Sequence, residues 1–389
     1  MHFPNPSHFY LIFPNIFEFK GGIQVYSAFL LQALQQLYPN AGYDVFLKYD
    51  RQTPLASRFL RSTRFHCFGR FPRLLQTLAI AAKITVMGIW TRPSLLIATH
   101  INYSIPCYWL YRLIGIPYWI IAHGDEVWNL QHPRRQKALQ QANLVIAVSH
   151  YTRDRLLTEQ SLVPSQVRVL ANTFEANRFK IAPKPSHLLQ RYGLSPDQPI
   201  ILTVSRLGQT AAPYKGYYQI LQALVQVRRH IPNVHYLLVG KGDARPEIES
   251  LIAQLSLTDC VTLTGFVPDE ELEDYYHLCD VFALPSQIEG FGIVYLEALA
   301  CGKPVLAGNK DGAIEPLAGG NLGCLVDPEN LEEIAENLIK ILQGSHPNPN
   351  LYNPHLLRSE TLKNFEFSQF CHHLSELVKG NREQGTGNS

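Results

Sequence analysis

The chain has 389 residues, of which 46% are hydrophobic and 17% charged, so it is long enough for about two domains and too apolar to be disordered. Its 34 basic and 32 acidic residues leave a formal net charge of +2, which gives no support to bulk nucleic-acid binding, since proteins of that class usually carry a basic excess. Seven scattered cysteines form no Cys-x-x-Cys pair, and residues 1–10 do not resemble a secretory signal. A reduced, cytoplasmic setting is therefore expected.

Apolar runs alternate with helical patterns through the first half of the chain. A first strand is predicted over residues 8–14, followed by a turn at Gly21 and Gly22 and a helix over residues 23–38. Further strands are predicted over residues 44–48, 95–99, 118–122 and 144–148. This alternation predicts a parallel sheet with helices on both faces.

Residues 74–90 and 105–121 are the most apolar stretches of the chain. Each is interrupted by a charged residue, Lys83 in the first and Arg112 in the second, so neither gives the uninterrupted run of about 18 apolar residues expected of a membrane span. Buried helix and strand is the simpler interpretation. The alternative is that this aromatic and basic region makes peripheral contact with the inner face of a membrane. The arginines that suggest this contact are Arg61, Arg64, Arg70 and Arg73.

The alternation restarts after a polar, proline-containing break. Strands are predicted over residues 200–205, 235–239, 261–264, 281–284 and 304–307, and helices over 218–230, 246–255, 272–277, 293–300, 331–342 and 368–378. The predicted organisation is a Rossmann-like domain over residues 1–178, a connector over 179–197, a second Rossmann-like domain over 198–355, a helical segment over 356–380 that packs back on the first domain, and a disordered tail over 381–389. Ligands are expected at the carboxyl ends of the strands.

The segment from Glu289 to Glu297 combines a glycine-containing loop with the start of a helix. Gly290 and Gly292 let the backbone approach a ligand, and the free N–H groups of Phe291, Gly292 and Ile293 suit a diphosphate. The two carboxylates could accept hydrogen bonds from the hydroxyls of a ribose and of a transferred sugar. Two glutamates eight residues apart are weak evidence alone, but the strand before them and the apolar helix after them strengthen it.

Together with the sequence Ala-Cys-Gly-Lys-Pro-Val at residues 300–305, this segment resembles the E-x7-E region of the family four, retaining glycosyltransferases (group 1 glycosyl transferases). The resemblance is densest over residues 200–328. It implies an α/β chain of GT-B architecture, with two Rossmann-like, doubly wound domains facing across a cleft. It also implies transfer of a hexose-type sugar, with retention, from a nucleotide diphosphate sugar to a glycan or lipid-linked acceptor in polysaccharide biosynthesis.

Other positions match this family in the same order along the chain. Arg206 follows a predicted strand and Lys215 precedes a helix, as in the family's basic pair that binds the diphosphate. Here residues 208–214 lengthen the loop between these two bases. Gly240 lies in a turn that resembles the family's turn beneath the nucleotide. The loop that resembles the family's base-contacting loop contains Gly265, Phe266 and Val267.

In the first domain, Gly21 and Gly22 resemble the family's glycine loop, which lets the donor diphosphate approach. His123, after the predicted strand 118–122, matches a family histidine at the active-site face. The resemblance implies that it hydrogen-bonds a hydroxyl of the transferred sugar, and domain closure is expected to bring it toward the donor. The predicted catalytic residues are thus His123, Arg206, Lys215 and Glu289.

The sequence has no Asp-x-Asp element and no His, Cys or Asp cluster with metal-ligand spacing. It therefore predicts no metal and no cofactor, and charge stabilisation of the leaving diphosphate by Arg206, Lys215 and a helix N-terminus. No residue is a clear covalent nucleophile, which favours a front-face reaction. Two alternatives remain open: an epimerase or hydrolase of nucleotide sugars on the same fold, and a non-catalytic nucleotide-sugar-binding subunit. The donor base, the sugar and the acceptor are not readable.

Overall fold

The computed structural model describes residues 7–18, 21–53, 58–208 and 213–384. These residues form two compact units. The first takes the chain up to Thr173 together with the segment that begins at Phe367, and the second is Phe174–Glu366. Each unit contains a parallel β-sheet with helices between successive strands, which is the predicted α/β class.

In the described part of the first unit, seven strands form one parallel sheet in the order β3-β2-β1-β4-β5-β6-β7. The strands are β1 (His8–Phe13), β2 (Gly42–Leu47), β3 (Thr63–Cys67), β4 (Leu95–Ala98), β5 (Tyr118–Ala122), β6 (Leu144–Ala147) and β7 (Val167–Val169). The helices are α1 (Gly22–Leu37), α2 (Arg73–Thr91), α3 (Ser104–Ile114), α4 (Pro133–Gln140), α5 (His150–Glu159) and α13 (Phe367–Gln384). The central strands are continuous apolar runs because helices cover both faces.

In the second unit, six strands form a parallel sheet in the order β10-β9-β8-β11-β12-β13. The strands are β8 (Ile200–Val204), β9 (His235–Val239), β10 (Val261–Gly265), β11 (Val281–Leu284), β12 (Val305–Gly308) and β13 (Cys324–Val326). The helices are α6 (Ser186–Tyr192), α7 (Tyr217–His230), α8 (Arg245–Gln254), α9 (Asp269–Leu278), α10 (Ile293–Ala300), α11 (Leu331–Leu342) and α12 (Pro354–Phe365).

Both sheets reverse their strand order at one point, between β1 and β4 in the first unit and between β8 and β11 in the second. At such a reversal the chain leaves neighbouring strands in opposite directions, which opens a crevice at their carboxyl ends. Gly21 lies after β1, Arg206 after β8, and Glu289 after β11. The fold therefore puts these sequence-predicted residues at the two switch points.

The connector predicted over residues 179–197 is a packed part of the second unit. It contains α6, and the Nζ of Lys184 lies 2.7 Å from a carboxylate oxygen of Asp280. The helical segment predicted over 356–380 is divided: α12 belongs to the second unit and α13 to the first. Arg358 of α12 donates to the backbone oxygen of Ala300 at 2.8 Å, whereas α13 packs on α1 through Phe367 and Phe29. The predicted tail over 381–389 lies partly in α13, and residues 385–389 lie outside the described part of the chain.

The prediction that residues 74–90 form a buried helix is correct about the helix and wrong about its burial. The segment is helical as part of α2, but only a four-residue stripe faces inward: Gln76, Ile80, Ile84 and Gly88. The opposite face is apolar and exposed, with Leu74 89% and Trp90 84% accessible. By length and composition α2 could cross a membrane, yet most of its surface is exposed. Burial in the core of the unit therefore does not account for its apolar composition.

Candidate donor site

Two loops of the second unit are hydrogen-bonded to each other at the carboxyl end of β11. The backbone oxygen of Tyr214 accepts from the backbone N–H of Gln287 at 2.8 Å and from the hydroxyl of Ser286 at 3.0 Å. This pairing places Lys215 beside Glu289, and the two side chains form a close ion pair. Both are about one-fifth exposed, so the pair faces solvent while its stems are packed. The lengthened loop over 208–214 still delivers Lys215 to Glu289, although residues 209–212 lie outside the described part.

The backbone at this site requires glycine at two positions, Gly216 and Gly292. Gly216 has φ +80°, and a Cβ there would lie 2.4 Å from the backbone oxygen of Pro285. Gly292 has φ +87°, and a Cβ there would lie 2.3 Å from the ring of Tyr295. Both conformations are strained for residues with a side chain, and the close contacts add to that cost. The two glycines therefore fix the approach of the Lys215 loop to the Glu289 loop.

Three helices at the switch points begin at a glycine rather than at a capping side chain. Gly21 precedes α1, Gly216 precedes α7 and Gly292 precedes α10, and none has a side-chain hydrogen bond at the cap. By contrast, α5 is capped by Ser149, whose hydroxyl accepts from the backbone of Thr152 at 3.1 Å. The first N–H groups of an uncapped helix are available to an anion. This arrangement suits phosphate oxygens at these helix starts.

Phe291 contributes its backbone and not its ring. Its side chain is 1% exposed and packs edge-on against Phe365 at 5.5 Å between ring centroids. The ring anchors the Gly290–Gly292 turn to the second unit, which keeps the start of α10 in place. Ile293, the first residue of α10, is half-buried.

Asp311 is a buried carboxyl that the sequence analysis did not single out. It is inaccessible to solvent, and its Oδ1 accepts from the backbone of Ala313 at 2.9 Å. Its Oδ2 is buried without a hydrogen-bond partner among the described residues. Burial raises the pKa of Asp311 to about 7, and the nearby charge of Glu289 acts in the same direction. The backbone N–H of Gly312 donates to the backbone oxygen of Glu289 at 2.8 Å, so Asp311 is held next to the loop that carries Glu289.

Arg206 lies on an exposed loop that β9 holds in place. The backbone N–H of Ser205 donates to the oxygen of Val239 at 3.0 Å, and that of Leu207 donates to the oxygen of Lys241 at 3.1 Å. The guanidinium is exposed, as an anion-binding side chain must be before its ligand arrives. The structure thus puts Arg206 on the loop after β8, the strand next to β11, at the same end of the sheet as Lys215.

Gly240 links this loop to the next one along the sheet, because its N–H donates to the backbone oxygen of Gly265 at 3.0 Å. Phe266 follows and is 65% exposed, with the Nζ of Lys241 4.6 Å from its ring centroid. Val267 beside it is half-buried. An exposed aromatic ring at the carboxyl end of a strand offers a stacking surface for a planar base.

Glu297, on the second turn of α10, is held by a tyrosine. The hydroxyl of Tyr276 donates to Glu297 Oε2 at 2.6 Å, and the ring of Tyr276 packs edge-on against Phe179. Burial raises the pKa of Glu297 to about 7, while the Tyr276 hydrogen bond and the charge of Arg178 oppose that rise. Tyr276 therefore orients the Glu297 carboxylate and partly offsets the effect of burial on its pKa.

In the first unit, His123 follows β5 and its ring is fixed on both sides. The Nε2 lies 3.1 Å from the backbone oxygen of Thr99, and Tyr26 meets the ring edge-on at 5.1 Å. A carbonyl only accepts, so Nε2 carries the proton and Nδ1 is an acceptor. Burial lowers the pKa of His123 to about 3, so the ring is neutral at pH 7. For the predicted hydrogen bond to a sugar hydroxyl, the nitrogen left available is Nδ1, which acts as an acceptor.

Glu126 shapes the same turn, since its Oε1 accepts from the backbone N–H of His123 at 2.6 Å. Burial raises the pKa of Glu126 to about 7. Gly22 is exposed at the start of α1, and Gly21 before it is half-buried. Among the described residues of both units, no group of three His, Cys, Asp or Glu side chains could hold a metal ion.

Two family models match the chain. The model described as glycosyl transferases group 1 matches residues 187–353, and the one described as glycosyltransferase family 4 matches residues 20–178. A GDP-mannose-dependent alpha-(1-6)-phosphatidylinositol monomannoside mannosyltransferase from Mycolicibacterium smegmatis is 33% identical in an alignment of 276 residues that covers 67% of this chain and 69% of that protein. The chain belongs to glycosyltransferase family four. An alpha-D-kanosaminyltransferase from Streptomyces kanamyceticus is 29% identical over 60% of this chain and 64% of its own length.

Solved structures of this fold superpose on nearly the whole family-four chain. A sucrose-phosphate synthase from Thermosynechococcus elongatus matches with a TM-score of 0.80 at 21% identity, covering 96% of this chain and 98% of its own. The Anabaena protein HepE, in complex with UDP and glucose, matches with a TM-score of 0.75 at 22% identity, covering 96% and 100%. The predicted GT-B fold is therefore confirmed.

The family settles the class of reaction. This glycosyltransferase is a hexosyltransferase that uses a nucleotide-sugar donor, and its products belong to polysaccharide or glycolipid biosynthesis. The prediction of a transferase, rather than an epimerase, a hydrolase or a non-catalytic subunit, is confirmed at this level.

Proposed function

We propose that this enzyme transfers a hexose from a nucleotide diphosphate sugar to a saccharide or lipid-linked acceptor, with retention and without a metal ion or cofactor, at the cytoplasmic face of a membrane. The observation that carries the proposal is the Lys215–Glu289 ion pair between the uncapped starts of α7 and α10. It supplies a cation and free N–H groups for a diphosphate beside a carboxylate for a sugar.

Each part of the donor has a matching group in the second unit. Phe266 offers a stacking face for the base, and Glu297 offers a carboxylate for the ribose hydroxyls. Lys215, Arg206 and the N–H groups of Gly292 and Ile293 would hold the diphosphate. A developing negative charge on the leaving phosphate is stabilised most by groups already fixed in position, and the loops around Lys215 are fixed by backbone hydrogen bonds.

Retention is proposed to follow a front-face route. Glu289 is paired with Lys215, so its carboxylate is better suited to accept hydroxyls of the sugar than to attack the anomeric carbon. The acceptor hydroxyl would attack from the side that the diphosphate leaves, and a phosphate oxygen would take its proton. His123 would accept a hydrogen bond from a sugar hydroxyl through Nδ1. The charge of Lys215 and Arg206 takes the place of a divalent cation in this scheme.

The first test is a thermal-shift panel of UDP-, GDP- and ADP-sugars, because a ligand that binds the folded state raises its apparent stability. The mannosyltransferase relative is GDP-mannose-dependent and HepE was solved with UDP, so both bases belong in the panel. The stabilising donor is then incubated with saccharide and lipid-linked acceptors, with and without EDTA. The product anomer is read by proton NMR. An inverted product, or transfer abolished by EDTA and restored by Mg²⁺, would contradict the proposed mechanism.

A further inference from the structure

The outer face of α2 is an apolar stripe with no covering element in the described part of the first unit. Six large side chains on it are more than two-fifths exposed. They are Leu74, Leu75, Leu78, Val86, Ile89 and Trp90. At 1.5 Å per residue the 19-residue helix is about 28 Å long. Contiguous apolar faces of this size mark interaction sites on soluble domains.

The charged residues of the sequence segment that contains α2 are all basic. From Arg51 to Gly124 the sequence contains nine basic residues and no acidic one, in a chain whose total charge is nearly balanced. Those on α2 or next to it are exposed: Arg70, Arg73, Lys83 and Arg92. The neighbouring helix α3, which meets α2 where Gly88 packs on Leu110, adds exposed Trp109 and Leu113.

We propose that α2 is an interfacial helix that lies flat on a bilayer containing anionic lipids, with its outer face in the acyl boundary and the basic residues at the headgroups. Apolar, Trp-containing faces bordered by Lys and Arg bind such surfaces. A membrane-spanning position is incompatible with the fold, because Ile80 and Ile84 are buried in the unit. A second copy of this chain is a poorer occupant. Pairing this face with itself would bring like charges together, with no carboxylate in the region to neutralise them.

The inference deepens the proposed function by naming the surface at which a lipid-linked acceptor would be met, and it rests on the proposed function only for that step. The binding itself requires no donor. Co-sedimentation of the full chain with vesicles of phosphatidylcholine alone, or with added phosphatidylglycerol, measures it directly. We expect sedimentation to increase with phosphatidylglycerol and to decrease as salt is raised, because the basic residues act through a screened field.

Two sets of variants separate the contributions. The triple variant Leu74→Gln, Leu78→Gln, Trp90→Gln should lose most of its vesicle binding, while Val163→Gln, an exposed valine of the same unit, should keep it. The pair Arg70→Gln, Arg73→Gln should bind at least fivefold more weakly, and the pair Arg134→Gln, Arg229→Gln should bind as the wild type does. All four substituted arginines are exposed, so the folds should be equally stable.

The proposal is overturned if the wild type does not sediment with vesicles that contain phosphatidylglycerol, or if the triple variant sediments equally well. It is also overturned if light scattering shows a wild-type dimer that the triple variant converts to a monomer while vesicles bind neither. Nucleotide binding by thermal shift should be the same in all variants. A donor that fails to bind the wild type would instead count against the proposed function and leave the membrane result intact.

Discussion

Lys215 and Glu289 are 74 residues apart in the sequence and form an ion pair in which the ammonium donates to Glu289 Oε2. The pair exists because the backbone of Tyr214 is hydrogen-bonded to the loop that follows β11. The loops after β8 and β11 in the second unit are thus joined by side chains as well as by backbone hydrogen bonds.

The first prediction concerns this pair. Lys215→Ala should lower kcat about 10²- to 10³-fold, since it removes a fixed cation from the leaving diphosphate, and Glu289→Ala should lower kcat/KM by a similar factor. The activity of the double variant should be lowered far less than the product of the two single factors, because each single substitution already breaks the same ion pair. Steady-state kinetics measures all three. Lys310→Ala, which breaks an exposed ion pair with Asp327, is the control and should stay within about twofold of the wild type.

The second prediction separates backbone strain from positioning. Gly216→Ala should be destabilised and nearly inactive, because its Cβ would displace the backbone at Pro285 and with it Lys215. Gly344→Ala is matched to it, with φ +71° against +80° but open space around the new Cβ. It should lose only the roughly 1 kcal/mol expected of a left-handed residue and keep its activity. Equal activity in the two variants would mean that the close approach at Pro285 does not position Lys215.

The third prediction follows from Glu297, whose pKa burial raises to about 7. The protonated form accepts ribose hydroxyls poorly, so donor affinity should weaken as the pH falls through 7. Tyr276→Phe removes a hydrogen bond to the charged form, so it should raise the pKa of Glu297 and move this transition to higher pH. Calorimetric titration of the nucleotide from pH 6 to 8.5 measures the shift. Tyr192→Phe, which loses a hydrogen bond to Tyr275 instead, should titrate as the wild type does.

The fourth prediction uses Asp311, the buried carboxyl whose pKa is raised to about 7. Above pH 7 its ionised form places a second negative charge beside Glu289, where a diphosphate must also be held. Activity should therefore decline on the alkaline side, and Asp311→Asn should flatten that decline while keeping the hydrogen bond from Ala313. Asp327→Asn, at an exposed carboxylate, should leave the pH profile of kcat unchanged. An alkaline limb that persists in Asp311→Asn would exclude Asp311 as its cause.

The fifth prediction concerns the stability of the first unit. Asp44 is buried on β2, and His8 and His66 each approach one of its oxygens at 2.7 Å. Burial alone would raise the pKa of Asp44, but the two histidine hydrogen bonds outweigh it and hold the pKa well below its usual range. Because the folded-state pKa is depressed, the stabilisation is present above pH 4 and is lost as the pH falls further. Asp44→Asn should cost about 1–3 kcal/mol at pH 7 and much less near pH 3.

Tryptophan fluorescence can follow this loss of stability. Trp90, Trp109, Trp119 and Trp128 are the four tryptophans of the chain, and all lie in the first unit. Urea unfolding read at these rings therefore reports the first unit selectively. An unchanged midpoint in Asp44→Asn at pH 7 would show that the two histidine contacts contribute nothing net.

The parts of the fold that the sequence predicts well are those with one dominant pattern of hydrophobic residues. Strands such as β5 and β11 are continuous apolar runs, because helices cover them on both sides, and they were predicted to within a residue. The strand β3 was missed because Arg64 and His66 give it a mixed sequence at the edge of the sheet. The exposure of α2 could not be read, since an apolar helix has the same sequence whether it packs inward or outward.

The sequence indicates candidate site residues where their side chains follow a family pattern, and it gives no signal for candidates that depend on contacts in the folded chain. Arg206 and Glu289 stand out as charges after strands, and Lys215 as a charge before a helix. Asp311 looks like an ordinary turn aspartate until its burial is known, and Tyr276 looks like a core residue. The orientation of the His123 ring depends on the backbone oxygen of Thr99, a partner that no sequence pattern reveals.

The return of α13 to the first unit affects the order in which the chain can fold during synthesis. Phe370 packs edge-on against Tyr26, whose ring supports His123, yet the ribosome makes the whole of the second unit between them. The apolar surface of α1 around Tyr26 and Phe29 is therefore uncovered until α13 emerges. Nascent chains that have not yet released α13 should be bound by chaperones at α1, and they should acquire protease resistance first in the second unit.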